Sequence, residues 1–247
     1  MIFTIAHKEF RSLFSAPSTW LILGALQFIF AWFFLARLDA YLQIQTQLAL
    51  VANAPGVTMS VAAPLFGTLA LVLMMLIPLF TMRLLAEERR NQTMALLLAA
   101  PVSSAQVVIG KFFSLVLFLT LIIVSCTAMI SILGLGTHLD FGLLLTNAVG
   151  LWLLTASYTA LGLYLSAITK QPIVAAMSAI ALSFGLWLID VGSVDNGNSL
   201  RFLSPSAHAQ SLNAGLIVSA DIIYFVVFTI TFLLLTIRRV NNNRLYS

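Results

Sequence analysis

Apolar residues run in long unbroken blocks along this chain, and polar residues gather in the gaps between them. Six blocks approach or exceed the roughly 20 apolar residues that a helix needs to cross a bilayer. They cover about 19–36, 64–82, 112–134, 141–168, 173–189 and 217–237. Their length and their Leu, Ala and Phe content argue against the short alternating strands of a membrane barrel. The fourth is long enough to tilt or to project from the bilayer, and the fifth is the shortest. The pattern predicts an all-α polytopic membrane protein with six transmembrane helices. Residues 1–17 follow a different rule. Phe3, Ala6, Phe10, Leu13 and Phe14 recur at helical spacing, while His7, Lys8 and Arg11 fall elsewhere. This predicts an N-terminal amphipathic helix lying in the membrane interface, ended by Pro17. A plain anchor and a mechanical elbow would have the same sequence.

Composition agrees. The 247 residues are 61% hydrophobic and 8% charged, with a mean hydropathy of +1.05. A soluble domain is about 45–50% apolar and about 25% charged. No stretch is polar enough for a separate soluble domain, so 1–247 reads as one transmembrane domain. The lone Cys126 lies in an apolar run, which excludes a disulfide or a cysteine metal site within one chain. It reads as a small buried hydrophobe.

Charge placement gives an orientation. With the N-terminus in the cytoplasm, ten basic residues fall inside: Lys8, Arg11, Arg83, Arg89, Arg90, Lys111, Lys170, Arg238, Arg239 and Arg244. Only Arg37 and Arg201 fall outside. The positive-inside rule therefore supports six spans with both termini cytoplasmic. The pI near 9.6 reflects topology, not a nucleic-acid footprint. Ala52-Asn53-Ala54 has the form of a signal-peptide cleavage site. Polar residues 37–47 separate it from the apolar core, so the first span is expected to be retained.

Six of the twenty charged residues lie between positions 83 and 111. Residues 83–99 are mostly good helix formers. Glu87 and Arg90 are three apart, as are Glu88 and Asn91, so surface pairs can form. Pro101 should end that helix. Ser103 with Gln106 three later is a capping-box pattern for the next one. Helix, break, helix would make a compact knob; a solvated loop is the plainer reading. The apolar run 94–100 favours the knob, because it must bury itself against something. On the other face, Asn196-Gly197 predicts a turn. Ser204 and Pro205 fit an N-cap and first helical position, and Gly215 fits a stop. A helix of about ten residues is expected there, carrying a His208 without partners and therefore no metal site.

Several chemistries are missing from the sequence. Gly110-Lys111 is followed by Phe112, and position 105 is alanine, so there is no phosphate-binding loop. No HExxH or GxSxG pattern occurs. Acids are absent from the centres of the spans, where an ion-coupled carrier usually keeps them. The weaker polar residues Gln27, Thr120, Ser125, Asn147, Thr155, Ser157 and Ser183 are expected to bond helices together.

The stretch Glu87-Glu88-Arg89-Arg90-Asn91-Gln92-Thr93, then 96–103 ending in Pro101-Val102-Ser103, then Gly110-Lys111-Phe112, resembles the signature of ABC-2-type transporter permeases. Lys8-Glu9-Phe10-Arg11 through Pro17 resembles the family's N-terminal pattern. So do Leu203-Ser204-Pro205, His208, Gly215, Asp221 and Tyr224-Phe225. The chain is most similar to the short six-span branch with gliding-motility-type and copper-enzyme-maturation permeases. Gln92 replaces a usual glycine and Ala95 a common glutamate.

The resemblance implies a type-2 ABC exporter-like fold in the cell (inner) membrane. Two permease chains, identical or related, would join two ABC ATPase subunits that hold ATP and magnesium; this chain would carry no cofactor and no catalytic residue. Residues 83–111 would couple to the ATPase through Glu87, Glu88, Arg89, Arg90, Thr93 and Pro101. Lys8, Glu9 and Arg11 of the interfacial helix would flank them. Residues 191–216, with Ser204, Pro205 and His208, would form part of an outer gate. An extracytoplasmic auxiliary protein would be a further partner. Two other readings share the composition: a membrane scaffold or assembly factor driven by an ABC ATPase, and a stand-alone carrier. Family substrates include lipids, polysaccharides, peptides and drugs; the aliphatic and Phe-rich spans favour something amphipathic or lipid-linked.

Overall fold

The computed structural model describes residues 2–48, 56–90, 103–192 and 199–245. Every regular element among them is helical. The main helices are α1 (Ile2–Ser15), α2 (Pro17–Leu48), α3 (Ala63–Arg90), α4 (Ser104–Ser131), α5 (Phe141–Ile168), α6 (Pro172–Gly192), α7 (Pro205–Asn213) and α8 (Ser219–Leu245). A π-helical turn, Thr58–Ala62, leads into α3; short 3-10 turns follow α4 and precede α7. Six helical stretches among the described residues are long and apolar enough to cross a membrane. They are Pro17–Gln45, Thr58–Arg90, Ser104–Gly134, Phe141–Ile168, Pro172–Gly192 and Ser219–Asn242. The all-α, six-span expectation therefore holds. The helix of the first span continues through residues 37–48, where neither Gly nor Pro interrupts and Gln43 bonds Asp39 one turn earlier at 3.0 Å.

α5 is the centre of the bundle and packs on α3, α4, α6, α7 and α8. The apolar windows of α4 and α5 are each 67% buried, whereas only 11% of the α2 window is. Close helix approach explains two glycines. A Cβ on Gly162 would lie 2.4 Å from Thr81 Oγ1, so α5 and α3 meet backbone to side chain there. A Cβ on Gly110 would lie 2.9 Å from Ile5 Cγ2, so α1 rests directly on α4. These approaches divide the molecule into two ends. α1 lies with the C-terminal ends of α3 and α5 and the start of α4. α7 lies with the start of α5 and of α8 and the end of α6.

The buried face of α1 keeps four of the five residues of its predicted stripe and departs from it at Phe3. Ile2, Ile5, Ala6, Glu9, Phe10, Leu13 and Phe14 are half-buried, while Phe3 is 89% exposed on the ridge of His7 and Arg11. Contact with α4, not local periodicity, sets which side turns inward. Interhelical polar bonding also departs in part from expectation. Ser125 donates to Gln27 (3.3 Å), Trp152 to Thr120 (2.9 Å), and Ser157 pairs with Thr229 (3.2 Å). Thr155 instead bonds back to Trp152 O, and Asn147 Oδ1 and Ser183 Oγ have no hydrogen-bond partner among the described residues.

Candidate functional site

The α1 end is built around one buried cation. Lys111 is 2% exposed, and its Nζ donates to Glu9 Oε1 at 3.0 Å and Glu88 Oε1 at 2.7 Å. Gly110 makes the geometry accessible, since a bulkier residue would push α1, and Glu9 with it, away. A buried ammonium is costly unless it is paired and hydrogen-bonded. Here three helices supply one residue each, and the pairing fastens α1 and α3 to α4. Glu88, expected at the docking surface, thus faces inward.

α3 is fastened to α5 beside this clasp. Ser166 donates to Met82 O at 3.1 Å and accepts from Ala86 N at 3.0 Å and Leu85 N at 3.3 Å. Its hydroxyl therefore sits among backbone groups of the last turns of α3. Arg89 Nη1 donates to Ala167 O, close to the C-terminus of α5. A cation is favourable there because the last carbonyls carry partial negative charge. Arg83, Glu87 and Arg90 remain exposed, spaced so that they form one ridge of α3. An indentation of about 510 Å³ lies beside them, bordered by Glu9, Ser12, Arg83, Glu87, Glu88 and Lys111. Lys8 and Arg11 are exposed on α1. Ser103 caps α4: its Oγ accepts from Gln106 N at 3.2 Å, and Gln106 Oε1 accepts from Ser103 N at 3.1 Å. Thr93 and Pro101 lie outside the described residues, as do Asn91, Gln92, run 94–100 and the Asn196-Gly197 turn.

The α7 end carries two polar networks. Asp190, 1% exposed, accepts from Arg201 Nε at 3.1 Å and Gln210 Nε2 at 2.7 Å. Arg201 Nη2 also donates to Gln210 Oε1 at 2.9 Å, closing the triad. His208 is not alone, contrary to the sequence expectation. Its Nδ1 lies 2.6 Å from Asp221 Oδ1, its Nε2 lies 3.1 Å from Phe202 O, and its ring stacks on Tyr224 at 4.0 Å. Ser211 donates to the other oxygen of Asp221, and Tyr224 OH to Leu203 O at 2.6 Å. Ser204 occupies the N-cap and Pro205 the first turn of α7, but the Ser204 hydroxyl pairs with Ser206 at 2.8 Å instead of capping. Gly215 ends the segment at φ +83°, where a side chain would be strained. No group of three His, Cys, Asp or Glu side chains that could hold a metal occurs among the described residues.

These bonds tie α7 to α6 and α8. His208→Ala is expected to destabilise the protein by about 1–3 kcal/mol, because the buried Asp221 loses a partner. Thermal unfolding in detergent would show a lowered midpoint; an unchanged midpoint would mean that the pair contributes nothing.

Spacing alone brings none of these partners together. Glu9 and Lys111 are 102 positions apart in the chain, and Lys111, a charge set among apolar residues, is the signal that the sequence carries for the clasp. Asp190 and Asp221 at span ends gave the same clue on the other side. The model of the ABC-2 family of transporter proteins matches residues 3–242, and the chain belongs to that family. It is the membrane permease subunit of a transporter whose family implies a separate ATPase partner. No curated protein matches the chain.

Proposed function

We propose that this chain is the permease of an ATP-driven exporter and that the α1 end receives the ATPase. The observation that carries this reading is the Lys111 clasp. A push on the exposed ridge of α3 passes to α1 and α4 through Lys111, and to α5 through Ser166 and Arg89. The docking surface comprises the ridge of Arg83, Glu87 and Arg90 together with Thr93 and Pro101, which follow it in the sequence. Lys8 and Arg11 flank it. Glu9, Glu88 and Arg89 act one layer deeper, as the fastening that makes the contact rigid.

In this reading the α1 end faces the cytoplasm, as ten basic residues against two support. A second permease chain, identical or related, completes the membrane part. The ATPase pair binds ATP and magnesium. The α7 end, with Ser204, Pro205 and His208, closes the path on the far side, where an auxiliary protein would also meet it. The membrane is the cell (inner) membrane, and the branch is the short six-span one.

The test separates surface from fastening. Glu87→Lys should lower ATPase co-purification in mild detergent severalfold while leaving the thermal midpoint of the permease unchanged. Glu88→Lys should lower the midpoint itself, since it sets a second cation against Lys111. Normal ATPase association, hydrolysis and transport with Glu87→Lys would remove the ridge from the docking surface. Hydrolysis that ignores every candidate cargo would favour a scaffold driven by an ABC ATPase.

A further inference from the structure

A cavity of about 350 Å³ lies at the α7 end, between α3, α5, α6 and α7. One stripe of α5 lines it: Asn147, Leu151, Leu154 and Tyr158, spaced at successive helical turns. The middle of the stripe is aliphatic and its two ends are polar. At 1.5 Å per residue those ends are about 16 Å apart along the helix. Trp187 and the α3 residues Phe66 and Met74 add apolar wall.

The two polar ends are incomplete. Asn147 is 2% exposed and Tyr158 is 3% exposed. Asn147 Nδ2 donates to Leu143 O at 2.6 Å, but among the described residues its Oδ1 has no hydrogen-bond partner, and neither has Tyr158 OH. Buried polar atoms are nearly always satisfied, and exceptions call for an explanation. Ser157 and Trp152 of the same helix find side-chain partners, whereas Asn147 Oδ1 and Tyr158 OH find none among the described residues. Instead both side chains line the same cavity, with each polar atom itself covered. Its rim includes the exposed Leu71 on α3 and the exposed Gln210 on α7, so it communicates with the surface.

We propose that this cavity binds a neutral, hydroxyl-bearing amphiphile, with its chain along Leu151 and Leu154 and hydroxyl groups at Asn147 and Tyr158. The donor and acceptor inventory selects the head. Asn147 Oδ1 accepts only, so it requires an O–H or N–H; Tyr158 OH both donates and accepts. Asp190 also lines the cavity, but as one half of an ion pair with Arg201 it offers an anionic head nothing to bind. It creates little demand for a cationic one, because Arg201 already pairs with it at 3.1 Å. Binding is independent of whether the amphiphile is the exported cargo, so this inference stands apart from the exporter reading.

The test uses the full chain, purified in mild detergent with its bound partners, and a monoacylglycerol carrying a photoreactive group in its acyl chain. Labelling should saturate, map by mass spectrometry to peptides containing Leu151, Leu154 or Met74, and be displaced by unlabelled monoacylglycerol but not by the fatty-acid anion. Tyr158→Phe should weaken binding about tenfold, the loss of one well-made hydrogen bond. Asn147→Leu should act similarly. In the unliganded protein, Tyr158→Phe removes a polar atom that bonds nothing, so the thermal midpoint should stay or rise. Labelling that never saturates, or that spreads over exposed helix faces, would mean surrounding lipid only and would overturn the proposal. Equal displacement by the anion would overturn the assigned head group. A midpoint lowered by Tyr158→Phe, with binding unchanged, would make the cavity a structural water pocket.

Discussion

Lys111→Ala is expected to destabilise the protein by about 3–5 kcal/mol and to release α1 from the bundle. The substitution leaves Glu9 and Glu88 facing each other without their shared cation, and it leaves a void beside Gly110. The two carboxylates are about one-fifth exposed, so water relieves part of the cost and places the expectation near the lower figure. Denaturant titration in mixed micelles would read the loss, and limited proteolysis would read the freeing of residues 2–15. The triple change Lys111→Met, Glu9→Gln, Glu88→Gln should restore much of the stability, because no charge is then left buried without a partner. Parent-like unfolding of Lys111→Ala would remove the clasp from any account of stability or of force transfer.

Gly162→Ala should cost about 1–3 kcal/mol despite the higher helix propensity of alanine. The new Cβ would stand 2.4 Å from Thr81 Oγ1 and 2.9 Å from both Thr81 Cβ and Cγ2. Thr81 is 1% exposed, so it has nowhere to turn. α3 and α5 must separate, which strains the Ser166 and Arg89 bonds to the same stretch of α3. The same titration would measure the effect. Unchanged or increased stability would show that α3 and α5 have slack at this contact.

The fold was largely legible because lipid imposes a simple rule. Every backbone polar group in the hydrocarbon must be paired within its own helix, so long apolar runs have one outcome. Charges in such a chain then become landmarks. Caps could be read where their chemistry is local, as at Ser103 with Gln106 and at Pro205. Pairings between distant helices could not. The Asp221 partner of His208 and the carboxylate partners of Lys111 depend on which faces of separate helices meet, and no spacing rule reports that. The same blindness explains Phe3, whose helical phase fits the apolar stripe although it stays exposed while Ala6, Phe10, Leu13 and Phe14 turn inward. Asn147 shows the converse. A polar residue in a span usually bonds a neighbouring helix; here a cavity replaces the neighbour.

The Ser166 hydroxyl has a mechanical consequence. The last turns of α3 share backbone groups with a hydroxyl from α5. Two helices joined in this way cannot slide past one another without breaking these bonds. They form one rigid strut, and α1 and α4 are pinned to it by Lys111. Among the described residues α2 has only sparse ties, Gln27 to Ser125 among them, and little buried surface. If the membrane part divides into moving pieces, the seam runs along α2, and a cross-link from α2 to α4 should stall the cycle where one from α3 to α5 would leave it running.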